Sequence, residues 1–210
     1  MAPAGVFAGD FPEAIRFFVS LHHQLYPIIP PQGIYFESLV ENAFRRIKKP
    51  FTVIEAGGRN QPRHDLQVEA HKLSIKTETG YGTSSDSITI TKLCTTEREP
   101  WTAATLVERV TEHLDRYDLI IMLRAIWGRP LIHYQLLEIP VSLLEKIVTA
   151  DFGEVGRRAG RRSLGADVKE GNEKLFHVHF DASDRKCSIR DLHVKHCTML
   201  LEWDFDTRSQ

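Results

Sequence analysis

Four side chains in the middle of the chain have types and spacing suited to chemistry: Asp65, then Ser74, Lys76 and Glu78 at alternate positions in HKLSIKTE. Residues two apart on a strand share a face. A hairpin with Ala70 and His71 as its two-residue loop would set Glu69 against Lys72, Gln67 against Ser74 and Asp65 against Lys76. Asp65, Gln67, Ser74, Lys76 and Glu78 would then project from one face. If helices cover the sheet that holds this hairpin, the acid and the lysine need each other, a metal or a ligand to offset their desolvation. The plain alternative is a solvated cross-strand ion pair, which contributes under about 1 kcal/mol.

The elements that must position these residues follow from hydrophobic period. Asp10 and Glu13 have capping-box spacing, with Pro12 in the first turn, and Ile15, Phe18 and Leu21 repeat at helical intervals, predicting a helix over 12–23. YPIIPPQG, with three prolines, is a connector. Phe36, Leu39, Val40, Ala43, Phe44 and Ile47 form the apolar stripe of a second helix over 35–47. After Pro50 the period falls to two through FTVIEA, HDLQVEAHKLSIKTETG and SITITKLCTTE, with GGRNQPR as a turn, which predicts a meander. A helix over 101–116 follows, then two apolar strands, DLIIMLRAIW and PLIHYQLLEI, and a short helix over 140–148 that starts at a proline.

The stretch 151–174 is rich in glycine and charge and is expected to be a mobile loop or connector; it contains GRRAGRR. The tail alternates, with DASD as a turn, and predicts two or three antiparallel strands. The expected fold is α/β: a central mixed β-sheet flanked by helices, with a C-terminal antiparallel β lobe. It would divide into an N-terminal helix and connector (1–34), a catalytic core (35–150), and a basic loop and β lobe (151–210).

In this order of elements, Asp65 followed by Ser74-Ile75-Lys76 on the next strand resembles the PD-(D/E)xK nucleases, especially the type II restriction endonucleases. The resemblance covers roughly 35–139. It departs at two positions: His64 stands at the motif's proline, and Ser74 stands at its acid, which removes a metal ligand. The resemblance implies that another carboxylate supplies that ligand. Glu78 is preferred, then Glu37 on the entering helix, with Glu108 on the later helix as a third choice; Glu69 lies at the far end of the hairpin. It also implies Mg²⁺ held by Asp65 and one of these acids, which would stabilise charge on the phosphate and the leaving 3′ oxygen. Lys76 would orient and help deprotonate the attacking water.

The expected activity is Mg²⁺-dependent, sequence-specific cleavage of both strands of double-stranded DNA by a homodimer, leaving 5′-phosphate and 3′-hydroxyl ends. Its setting would be a bacterial or archaeal restriction system. Two rivals are a repair or recombination nuclease of the same superfamily and a DNA-binding protein that has lost its catalytic acid.

Composition bounds these readings. The chain has 210 residues, 42% hydrophobic and 26% charged, enough for a sizeable core, and 27 Lys and Arg against 28 Asp and Glu, so any DNA surface must be local. Arg157, Arg158, Arg161 and Arg162 supply such a local concentration and are expected to contact DNA. RRIKK at 45–49 reads as the basic end of a helix. Three cysteines fit a reducing cytoplasm better than a disulfide framework, and neither a signal peptide nor a membrane-length apolar run is expected. His177, His179, Cys187, His193, His196 and Cys197 match no standard zinc spacing and are read as strand and core residues. Ser142 and Cys94 lack the partners of a hydrolase triad.

Overall fold

A computed structural model describes residues 5–54, 65–95, 102–158, 161–181 and 185–208. In chain order its main elements are α1 (Phe11–Leu25), α2 (Ile34–Arg46), β1 (Phe51–Val53), β2 (Leu66–Val68), β3 (His71–Glu78), β4 (Ser87–Thr95), α3 (Ala103–Leu114), β5 (Leu119–Gly128), β6 (Leu131–Pro140), α4 (Val141–Leu144), β7 (Gly153–Arg158), β8 (Arg161–Glu170), β9 (Glu173–Asp181), β10 (Lys186–His193) and β11 (Thr198–Asp206). The strands form a mixed sheet ordered β1-β2-β3-β5-β6-β11 and a second, antiparallel sheet ordered β4-β10-β9-β8-β7. Each sheet lies in its own compact unit: one comprises 1–85, 117–140 and 197–210, the other 86–116 and 141–196. The α/β class, with a mixed central sheet and a further antiparallel sheet, is the one expected.

Within the first unit α1 and α2 pack on one face of the mixed sheet. Phe11, Ile15 and Val19 recur every four residues and are buried with Phe36, Val40 and Phe44 of α2 against Leu73, Ile75, Ile121 and Leu123 of β3 and β5. Pairing between β3 and β5 is parallel and brings Ser74, Lys76 and Glu78 level with Ile120, Met122 and Arg124. The capping box expected at Asp10 does not form. Asp10 makes no side-chain cap, and Glu13 pairs with Arg16 instead. Reciprocal capping occurs at the start of α3, between Thr102 and Thr105.

Three expectations are corrected here. The strand SITITKLCT (β4) does not continue the meander but pairs with β10 in the other sheet, and α3 belongs to that second unit. The last strand, β11, leaves the C-terminal β lobe and pairs with β6 along most of its length. The glycine-rich and charged stretch is no loop over 153–158 and 161–170, because β7 and β8 pair as a hairpin. Gly165 in β8 is required by close approach: a Cβ there would meet His177 Nε2 and Val155 Cγ1, each at 3.0 Å. The expected turns at 57–63 and 182–184 lie outside the described residues, as do Trp101 and His64.

A buried histidine ties α1 to the sheet. His23 Nδ1 lies 3.1 Å from the carbonyl oxygens of both Tyr26 and Pro27, so it carries the proton, and Nε2 accepts from the Tyr134 hydroxyl at 2.7 Å. The ring also stacks on Phe205. Burial pulls its pKa below the usual 6.5. The unfolded chain therefore takes up this proton first as pH falls, so the stabilisation is full above about 6.5 and declines below it. Tyr134→Phe strands the ring nitrogen and should cost about 1–3 kcal/mol. Urea midpoints at pH 7.5 and pH 5 should show the wild type weakened at pH 5, with Tyr134→Phe weaker than wild type at both.

Candidate active site

The hairpin that carries Asp65 and Lys76 forms with a different register from the one expected. Val68 pairs with His71, Gln67 with Lys72 and Leu66 with Leu73, so the loop is Glu69 and Ala70. Glu69 takes φ 55°, a left-handed conformation usually left to glycine or asparagine. Extended by one residue, this register sets Asp65 level with Ser74 rather than with Lys76. Gln67 is not in the site; its amide bonds the carbonyl of Glu69.

The three residues nevertheless meet, through Ser74. Because β2 ends at Leu66, the Asp65 carboxylate takes the place of a backbone partner: its Oδ2 accepts from the Ile75 amide at 2.6 Å and from Ser74 Oγ at 3.4 Å, while the Asp65 amide donates to the Leu73 carbonyl. Lys76 Nζ in turn donates to Ser74 Oγ at 2.7 Å. Ser74 itself is buried. A hydroxyl in this place does what a carboxylate could not: it accepts from the ammonium and donates to the acid at once.

Of the proposed substitute acids, Glu37 is the one whose charge state responds to this pair. It lies in the first turn of α2. Burial raises its pKa, the negative charge of Asp65 raises it further, the Lys76 ammonium opposes the rise, and Glu41 adds to it. Two carboxylates that penalise each other's ionisation, beside one ammonium, form a donor set of hard oxygens that a divalent cation would relieve. Among the described residues no cluster of three or more His, Cys, Asp or Glu side chains is placed to hold a metal. Mg²⁺ does not need one, since it is commonly held by one or two carboxylates together with substrate phosphate and water.

Glu78 is otherwise engaged. Its Oε2 accepts from Arg124 Nε at 2.6 Å. The guanidinium, which has no exposed surface, also donates to Gln135 Oε1 and to the Ser84 carbonyl, each at 2.6 Å, and to the Ser85 carbonyl at 3.3 Å. Glu78, Arg124 and Gln135 occupy one row across β3, β5 and β6. Sequence reasoning missed Arg124, although an arginine in so apolar a run as LIIMLRAIW signals a required buried partner. Glu108 is an exposed residue of α3 in the second unit, and Glu69 is exposed, 3.5 Å from Lys49.

The arginines of GRRAGRR lie on the β7–β8 hairpin, Arg157 level with Arg162 and Arg158 with Arg161; their side chains lie outside the described part. The histidines and cysteines of the tail do not gather into a metal cluster. His177 bonds Asp167 at 2.8 Å, Cys187 faces Cys94 across β10 and β4 in a thiol–thiol hydrogen bond, and burial pushes the Cys197 thiol up to about 12.

Comparison with known proteins agrees with a DNA-cleaving enzyme. The profile of the SmaI family, described as type II site-specific deoxyribonuclease, matches residues 3–205. The chain belongs to this family and is thus a restriction endonuclease, an enzyme whose partner is DNA. It is similar to the type II restriction enzyme SmaI of Serratia marcescens, with 31% identity over 175 residues, covering 80% of this chain and 71% of that enzyme. No solved structure matches. The family selects the restriction enzyme from the three readings of the sequence. No helix among the described residues is long and apolar enough to cross a membrane.

The Arg124 row yields a prediction that separates support from catalysis. Arg124→Ala leaves the Glu78 carboxylate buried without its guanidinium and should destabilise by about 3–5 kcal/mol. Glu78→Gln should lower the urea midpoint while leaving the Mg²⁺ concentration for half-maximal cleavage unchanged. A wild-type midpoint in both variants would show that the row bears no load.

Proposed function

We propose that Asp65, Ser74, Lys76 and Glu37 form the active site, and that the chain is a PD-(D/E)xK-type nuclease in which Ser74 replaces the motif's acid. The reaction is hydrolysis of the phosphodiester bond on the 3′-oxygen side, with water attacking phosphorus, which leaves a 5′-phosphate and a 3′-hydroxyl. The observation that carries the reading is the hydrogen-bonded chain from Lys76 Nζ through Ser74 Oγ to Asp65 Oδ2, with Glu37 coupled to the same acid.

Asp65 and Glu37 would hold Mg²⁺; once bound, the cation supplies Lewis-acid stabilisation of the phosphate and leaving oxygens. The remaining roles belong to the chain. Asp65 is immobilised by the Ile75 amide, so its carboxylate is oriented in advance. Ser74 pins the Lys76 ammonium, which positions the attacking water against the phosphate and stabilises the anionic transition state. Glu78, the acid first preferred from sequence, acts in this reading through Arg124 to hold β3 in place. Division of labour follows the expected one: the mixed-sheet core cleaves, the GRRAGRR hairpin contacts DNA, and the enzyme works in the cytoplasm of a bacterium or archaeon.

Lys76→Ala and Asp65→Ala should each lower the cleavage rate at least about 10³-fold without changing the far-ultraviolet dichroism, because both act mainly on the transition state. Glu37→Gln should raise the Mg²⁺ concentration needed for half-maximal cleavage far more than Glu78→Gln or Glu108→Gln. Near wild-type cutting by Lys76→Ala defeats the assignment, and equal responses at Glu37 and Glu108 remove Glu37 from it.

Recognition is tested separately. Replacing Arg157, Arg158, Arg161 and Arg162 by Ala should weaken DNA binding in Ca²⁺ and flatten its salt dependence, each lost phosphate contact removing about 0.9 from the slope of log affinity against log salt. An arginine that reads a guanine edge should instead cost about 1–3 kcal/mol at one base pair. An unchanged slope and site preference would clear the hairpin of any role.

A further inference from the structure

From Phe17 to Phe36 the chain carries no Asp, Glu, Lys or Arg, whereas a chain 26% charged would place about five in such a stretch. This run comprises most of α1, the proline-rich connector and the start of α2. Its helical part has two apolar stripes. Phe11, Ile15 and Val19 are buried in the core, while Phe17, Leu21 and Leu25, also spaced by four, face outward. The outward stripe continues through Ile28 and Ile29 of the connector to Ile34 and Tyr35, and ring contacts of Tyr26 with His22 and Tyr35 make it continuous.

Those side chains are exposed by 40% at Tyr26 to 75% at Leu25. With residues of this size the face amounts to roughly 800 Å², beyond the ~300–600 Å² of the largest patch on a typical monomer and equal to the ~800 Å² that one partner gives a standard interface. Its rim is polar in the manner of an interface: the Glu13–Arg16 ion pair lies beyond one end, and the Arg46 guanidinium covers the Phe17 ring at 4.1 Å.

We infer that this α1–connector–α2 face is the surface on which a second copy of the chain docks, about a two-fold axis. An isologous interface sets each side chain near the axis against its own kind, so a charge there would face a like charge, and a long uncharged apolar stripe is the composition such symmetry tolerates. DNA is a poor occupant, because the stripe offers no cation to the phosphates. The inference rests on the two-strand cleavage proposed above, which requires two sites where the chain supplies one. It also gives the face a place beside the chemistry: Ile34 and Tyr35 open α2 two and three residues before Glu37, after a helix start where Gly33 takes φ 55°. A partner packed on that turn would hold Glu37 in register with Asp65.

Sedimentation of the full chain at micromolar concentrations tests it. The wild type should sediment at twice the 24.0 kDa chain mass, as should Lys76→Ala, so that failure of the catalytic reading leaves this result untouched. The double variant Leu21→Glu, Leu25→Glu should sediment as a single chain with an unchanged thermal melt, and Ile28→Lys, Ile34→Lys provides a second disruption should the first fail to fold. A wild type that sediments as a single chain at every concentration overturns the proposal and leaves the face to another protein or a lipid surface. Folded variants that remain dimeric overturn it equally.

Discussion

A guanidinium with no exposed surface is the constraint around which the first unit is organised. Arg124 sits on the central strand β5 and must be satisfied entirely by protein, and its partners are the reason neighbouring elements lie where they do: Glu78 from β3 on one side, Gln135 from β6 on the other, and the carbonyls of Ser84 and Ser85 from the segment that follows β3. Gln135 itself bonds Ser85. Removing any one partner leaves charge or dipole in a low-dielectric interior, where the cost is larger than the bond was worth. The row therefore specifies register more than it adds stability. It sets Glu78 opposite Arg124, and because strand positions alternate, it also determines which face Ser74 and Lys76 present.

That alternation lets one strand serve two purposes. Leu73 and Ile75 are buried with α1 and α2, while Ser74 and Lys76 belong to the opposite set. Asp65 connects the two sets by accepting from the backbone amide of Ile75 rather than from a side chain of its own face. An oxyanion held by a backbone amide has little freedom, and freedom is what a preorganised site must lack. The serine at position 74 fits the same logic. A second fixed carboxylate beside Asp65 would add like-charge repulsion in a partly buried place, whereas a hydroxyl links ammonium to acid without adding charge. The second acid then arrives from a helix, where its pKa has already been raised by burial and by Asp65.

Much of this was legible in the sequence, and the part that was not has identifiable physical causes. Period and prolines located the helices and strands to within a few residues, and the shared face of Ser74 and Lys76 follows from spacing alone. The hairpin register was displaced because Glu69, an ordinary residue, takes a left-handed conformation with no glycine or asparagine to mark the turn. Glu78 was preferred as a metal ligand because its true partner, Arg124, is 46 residues distant and adjacent only once β3 and β5 pair in parallel. The exchange of β4 and β11 between sheets is non-local in the same way: strand periodicity reports that a segment pairs, not which strand it pairs with. The four arginines were expected in a loop from composition, yet β7 and β8 pair through them, so glycine content misjudged a strand tolerant of close packing at Gly165.

The N-terminal helices carry a constraint that neither the core nor the catalytic residues explain by themselves. One stripe of α1 is enough to anchor it, and the His23–Tyr134 bond adds a specific attachment. A second apolar stripe costs solubility and gives the isolated chain nothing in return. It is accounted for only if it is covered, and the segment that bears it leads directly into the turn of α2 that holds Glu37. Covering the stripe and orienting the second carboxylate are then consequences of one packing event. A chain that cuts DNA would thereby complete its site most fully when paired, so that a lone subunit is a poor nuclease and single-strand nicking away from a two-fold site is disfavoured. The absence of charge over Phe17–Phe36 and the displacement of the catalytic acid from β3 to α2 are, on this argument, two expressions of the same arrangement.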